Sequence, residues 1–76
     1  MKYVVKKCDI NNPYGVIVFS SESKDECLKG ALLIAVMEIV SIPSGEVWRK
    51  EDNHVIAWKG NYAETVVFDI EPDDIN

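Results

Sequence analysis

The stretch from Ser23 to about Val40, SKDECLKGALLIAVMEIV, constrains the fold more than any other, because it is the one segment of the 76 residues that reads as a long helix. Everything on either side reads as strands and tight turns. Ser23 stands three residues before Glu26, so its hydroxyl can accept the Glu26 backbone N–H while the Glu26 side chain reaches back to Ser23. Asp25 and Glu26 fall in the first turn, where the helix dipole favours negative charge. Cys27, Leu28, Ala31, Leu32, Ala35 and Ile39 recur at steps of one, three or four, the spacing of one helical face. Asp25 and Lys29 are four apart and pair on the wet side for ~0.3 kcal/mol. Gly30 interrupts the pattern. Inside a helix it costs about 1 kcal/mol relative to Ala, and its small size lets a strand approach closely.

The second half of this segment has two readings. Ala31 to Met37 is an unbroken apolar run, in which periodicity cannot separate a buried helix from a buried strand. From Met37 to Ile42, MEIVSI alternates. Either the helix runs to about Val40, or it stops near Val36 and an extra strand over 37–42 ends at Pro43. The absence of a turn residue between Ala31 and Val40 favours a helix ending between Val36 and Val40. In that case Leu33, Val36, Met37 and Val40 lie outside the core stripe. A helix that is apolar nearly all round must be covered on both sides, so these residues are a candidate dimer or partner face. In the strand reading they belong to the core.

The rest of the chain alternates strands and turns. Lys2 to Cys8 is a strand, and Asp9 to Gly15 is dense in turn formers. Val16 to Ser20 is a second strand, rich in β-branched and aromatic residues, so the two form a hairpin with a loop of about seven residues. After the helix, Pro43-Ser44-Gly45 marks a turn. Glu46 to Lys50, Val55 to Lys59 and Tyr62 to Ile70 read as three more strands, the last ended by Pro72. The expected fold is α+β: one helix packed on an antiparallel sheet, in the order β-β-α-β-β-β, forming a single domain over 1–76 with an acidic tail at 71–76. With two-residue loops at Asp52-Asn53 and Gly60-Asn61, Val47, Ile56, Trp58, Ala63, Thr65 and Val67 share one face of the sheet. Trp48, Val55, Ala57, Val66 and Phe68 share the other. Each face then carries one Trp, and the face turned away from the helix is partly apolar, rimmed by Lys50 and Glu64.

Charge is distributed unevenly. The formal net charge is −5, yet residues 1–59 hold all eight Lys and Arg and eight of the thirteen acids, a net of zero. Glu64, Asp69, Glu71, Asp73 and Asp74 supply the whole excess from the last strand and tail. Nucleic-acid binding needs clustered Lys or Arg for phosphate contacts, so direct nucleic-acid binding is not expected. A basic protein surface fits better, since complementary charge raises association rates.

The sequence shows no chemistry of its own. GxGxxG, GxxxxGK[ST] and GxSxG are absent. His54, the one histidine, falls in a turn between strands. Cys8 and Cys27 form no CxxC and, with a single His, complete no zinc set. Among apolar neighbours their thiols stay protonated. No enzyme activity, metal or cofactor is expected. The longest apolar run is far short of the ~20 residues a bilayer requires, and the N-terminus lacks a signal peptide's apolar core. A cytoplasmic location, host cytoplasm included, is therefore expected, with Cys8 and Cys27 as free thiols.

Two resemblances add to these readings. The opening MKYVV…DINNPYGVIVF…SKDECLKGA, about the first 37 residues, resembles the start of HicB-type antitoxins, although that family's third strand before the helix is missing. The whole-chain order, with a Trp-bearing C-terminal hairpin, is similar to small phage or mobile-element inhibitors such as anti-CRISPR proteins. The second resemblance implies action by occluding a partner. The expected function is a non-enzymatic protein-binding inhibitor, with Glu64, Asp69, Glu71, Asp73 and Asp74 docking on a basic, nucleic-acid-binding host protein and Trp48 or Trp58 as apolar anchor. The alternative is a homodimeric regulatory protein of antitoxin type, joined through Leu33, Val36, Met37 and Val40.

Overall fold

A computed structural model describes residues 1–73. Five strands and one helix follow in the order β1 (Tyr3–Cys8), β2 (Val16–Ser21), α1 (Lys24–Ile39), β3 (Glu46–Lys50), β4 (His54–Trp58) and β5 (Val66–Pro72). The class is α+β, as the sequence predicts, and among the described residues no helix is long and apolar enough to cross a membrane.

The helix starts where its capping signal lies. Ser23 is extended, at φ −104° and ψ 121°, and its hydroxyl accepts the Glu26 amide at 3.2 Å. The end of α1 settles the ambiguity over 37–42: there is no strand there. The helix runs through Ile39 with Val40 as its last helical-geometry residue. Two further turns follow, the Ile42 amide donating to the Ile39 carbonyl and the Gly45 amide to the Ile42 carbonyl, each at 2.9 Å. Gly45 is required by closeness, because a Cβ there would sit 2.7 Å from the Ile39 Cβ. The alternation in MEIVSI is the trace of a helix end folding back on itself.

All strand pairs are antiparallel, in the spatial order β2-β1-β5-β4-β3. The first and last strands of the chain are thus neighbours at the centre. One face carries the core: Val5, Val55, Ala57, Val66, Phe68 and Ile70 from the sheet meet Cys27, Leu28, Ala31 and Ala35 from α1. Cys27, Ala31 and Ala35 are fully buried. Their small side chains let the helix lie close over Phe68, the largest fully buried residue. Gly30 serves the close approach expected of it, since a Cβ there would stand 3.2 Å from the Phe19 ring on β2. Glu38 pins the other end of α1 to the sheet. Its carboxylate accepts Lys7 Nζ and Lys59 Nζ, each at 2.9 Å, and these hydrogen bonds, Lys59 foremost, hold its pKa below the usual value.

The strand registers correct one expectation. Lys50 pairs with His54 and Trp48 with Ile56, so the β3–β4 loop has three residues, Glu51 to Asn53. Glu51, the first residue of this loop, takes a positive φ of 58°. A slip of one residue turns every side chain of a strand to the opposite face, and so Trp48 and Val47 exchange faces relative to the expectation. Val47 packs beside the core, and Trp48 joins Trp58 on the far side. The β4–β5 connection is also longer than Gly60-Asn61, and β5 begins at Val66, four residues later than Tyr62. Ile56 pairs with Val67, a displacement of two positions from the expected register, which leaves the face of each residue unchanged.

Candidate functional site

The face of the sheet opposite α1 has no covering element among the described residues. Its side chains lie in rows across the strands, because directly paired residues point the same way. One row runs Cys8, Val67, Ile56, Trp48, and Trp58 stands beside it opposite Glu46. A second row runs Ile17, Lys6, Asp69, His54, Lys50. The face is therefore divided into an apolar, aromatic half and a charged half.

The aromatic half is organised by one stack. The Trp48 and Trp58 rings lie 5.2 Å apart at 14°, and Tyr62 meets Trp58 edge-on with centroids 5.1 Å apart. Both are favoured aromatic geometries. Trp48 remains 43 % exposed and Tyr62 88 %. The loop after β4 presents Tyr62. Gly60 takes φ +96°, and Asn61 then ties the loop together. Its Oδ1 accepts the Glu64 amide at 2.9 Å, its Nδ2 donates to the Glu64 carboxylate at 2.9 Å, and its carbonyl accepts the Thr65 hydroxyl at 2.8 Å. Beyond Tyr62 an open groove of about 410 Å³ continues the surface, lined by Cys8, Ile10, Pro13, Ala63 and Val67 among others. Its far wall is the β1–β2 loop, shaped by Asp9 Oδ1, which accepts the Asn11 and Asn12 amides at 2.9 and 2.8 Å.

Most of the charged half is engaged within the chain. Lys6 and Glu71 form an ion pair at 2.6 Å, and this bond raises the Lys6 pKa. His54 Nδ1 and Asp69 Oδ1 are 2.5 Å apart. His54 is thus the first residue of β4 and a cross-strand partner, not a free turn residue. Among the acids expected to dock on a basic partner, Glu71 and Asp69 are therefore engaged within the chain. Asp73 also has an interaction of its own. Glu64 is exposed and held by Asn61, and Asp74 lies outside the described residues. Glu46, which the charge argument did not single out, is exposed and accepts Trp48 Nε1 at 3.4 Å.

Leu33, Met37 and Val40 stand 64, 67 and 80 % exposed on the outer side of α1, with Val36 also exposed, so the structure has a second apolar surface on the helix side. The two thiols are free. Burial pushes both Cys8 and Cys27 up in pKa, which keeps them protonated and poor as nucleophiles. No group of three or more His, Cys, Asp or Glu among the described residues is placed to hold a metal ion.

Two features of this surface escaped sequence reasoning. The pairing of Trp48 with Trp58 depends on the β3–β4 loop length, and the sequence pattern places Tyr62 in a strand, whereas the structure places it in the loop before β5. The signal for both was present: Glu51 adds a residue to the Asp-Asn turn, and Glu64 and Thr65, three and four residues after Asn61, favour a side-chain-closed loop. Comparison with protein-family models, curated proteins and solved structures finds no match to the chain.

Proposed function

We propose that the chain is a protein-binding module that covers part of a partner's surface with the aromatic half of its open sheet face. The observation that carries this is the uncovered Trp48–Trp58–Tyr62 array. Aromatic side chains bury large areas at low entropic cost and dominate binding energy at interfaces. Three of them linked through Trp58, beside an apolar groove, are pre-organised for a complementary polypeptide surface. A small rigid chain with such a face can act as an inhibitor by occlusion, without chemistry of its own. Glu46 and Glu64 at the rim and the net charge of −5 favour a partner that is basic around its binding site. Docking rests on the aromatic anchors, and charge mainly sets the association rate, since Glu71 and Asp69 are already paired.

The test is affinity capture followed by titration of the purified partner, reading tryptophan fluorescence. Trp48→Ser with Tyr62→Ser should abolish capture while circular dichroism shows an intact fold. Val36→Ser with Val40→Ser, on the helix side, should retain it. Glu46→Gln with Glu64→Gln should weaken the salt dependence and leave most of the affinity. Capture unchanged by the aromatic pair of substitutions would refute the assignment.

A further inference from the structure

The two edges of the sheet are built differently. β3, EVWRK, carries Glu46, Arg49 and Lys50, and charged edge residues discourage foreign strand pairing. β2, VIVFSS, has no charge and no proline over its six residues, in a chain that is 28 % charged. Its residues Val16 to Ser20 are all exposed. The one irregularity is a bulge that makes Val18 the extra residue, leaving Phe19–Ser21 as the longer regular segment.

This edge is continuous with the helix's exposed apolar side. The Phe19 ring lies against Gly30. Gly30, Leu33 and Met37 are spaced i, i+3, i+7 and so occupy one stripe of α1. The stripe starts over β2 and leaves Leu33 and Met37 uncovered. We propose that β2 is a self-pairing edge: two copies join by antiparallel β2–β2 pairing about a two-fold axis near Ser20, and their Leu33–Met37 stripes meet above the junction.

Three arguments select a second copy. An antiparallel edge related to itself by a two-fold axis is self-complementary, each strand supplying the donors and acceptors the other lacks. That axis, perpendicular to the sheet, places both helices on the same side, so one event covers the strand edge and the helix stripe together. A single foreign strand would cover β2 and leave Leu33 and Met37 in water. Charge points the same way: two chains of −5 repel over most of their surface, whereas β2, Leu33 and Met37 carry no charge on either copy, and the stripe's one acid, Glu26, lies a turn before Gly30.

Analytical ultracentrifugation at micromolar concentration tests this. The wild-type chain should sediment at twice its 8.6 kDa mass. Ser20→Lys would set like charges opposite each other at the axis and should raise the dimer dissociation constant about tenfold or more, whereas Ser20→Thr should not. Leu33→Glu with Met37→Glu, at exposed positions, should also yield single chains and carries the test if the β2 variant folds poorly. Hydrogen exchange should show the β2 amides turned away from β1 slowing with concentration. Trp48→Ser with Tyr62→Ser should leave the mass unchanged, which separates this interface from the open-face site. A wild-type chain that remains single throughout, or a dimer insensitive to Ser20→Lys and to the helix variant alike, would overturn the proposal; the first outcome would leave β2 to a strand from another protein.

Discussion

Replacing Glu38 with Gln tests how α1 is fastened to its sheet. The Glu38 side chain is 23 % exposed and receives two lysine hydrogen bonds at 2.9 Å, from Lys7 at 29 % exposure and Lys59 at 19 %. A hydrogen bond to a charged group contributes about 1.5–3 kcal/mol when buried. Here both lysines keep access to water, and Gln retains one acceptor, so the combined loss is reduced to about 2 kcal/mol. Total stability for a chain of this length is on the order of 4–11 kcal/mol, so the loss is a substantial fraction. It corresponds to a fall in Tm of about 10 °C, or a shift of the urea midpoint by about 2 M if m is roughly 1 kcal/mol/M. The two lysines hold the folded-state pKa of Glu38 below its ordinary 4.5. A carboxylate shifted in this direction contributes its full stability above the unfolded value and loses it as pH falls through the folded one. The gap between wild type and Glu38→Gln should therefore be constant near neutrality, narrow below about pH 4.5 and close in stronger acid. Urea titrations across that range, read by tryptophan fluorescence and far-ultraviolet circular dichroism, measure it. A gap under about 0.5 kcal/mol at pH 7, or one that persists undiminished at the acid end, would refute the ionic account of this anchor.

Other substitutions probe separate parts of the same construction. Glu51 holds a positive φ without being Gly, so Glu51→Gly should stabilise the β3–β4 hairpin by up to about 1 kcal/mol, measured by chemical denaturation. Ser23→Ala removes the cap on Glu26 and should cost about 1 kcal/mol in the same assay. A double-mutant cycle over Trp48→Ala and Trp58→Ala should return a coupling of about 0.5–1.5 kcal/mol from the stack; a coupling near zero would mean the rings do not hold each other in solution.

Local signals were readable wherever a single residue type decides the geometry. The Ser23 cap, the first-turn acids and the recurrence of Cys27, Leu28, Ala31 and Ala35 specify a helix with one core face, and the structure has one. The seven-residue loop between β1 and β2 followed from its density of Asn, Pro and Gly. What failed was counting across a turn. The Asp52-Asn53 pair suggested a two-residue loop, and the additional residue, Glu51, reversed the facing of Trp48. Charge was legible only as a total: the excess of acids near the chain's end is real, but which acids face lysines depends on strand neighbours. Lys6 meets Glu71 because β1 and β5, sixty residues apart in order of synthesis, lie side by side.

That adjacency bears on how the molecule comes into being. Until Val66–Pro72 leaves the ribosome, the nascent chain has only two separate ribbons, β1–β2 and β3–β4, which share no ladder; β5 pairs with β1 on one side and β4 on the other. Two-stranded ribbons are at best marginally stable in water, so a product terminated ahead of Val66 would leave Val5, Val55 and Ala57 unshielded and attract degradation.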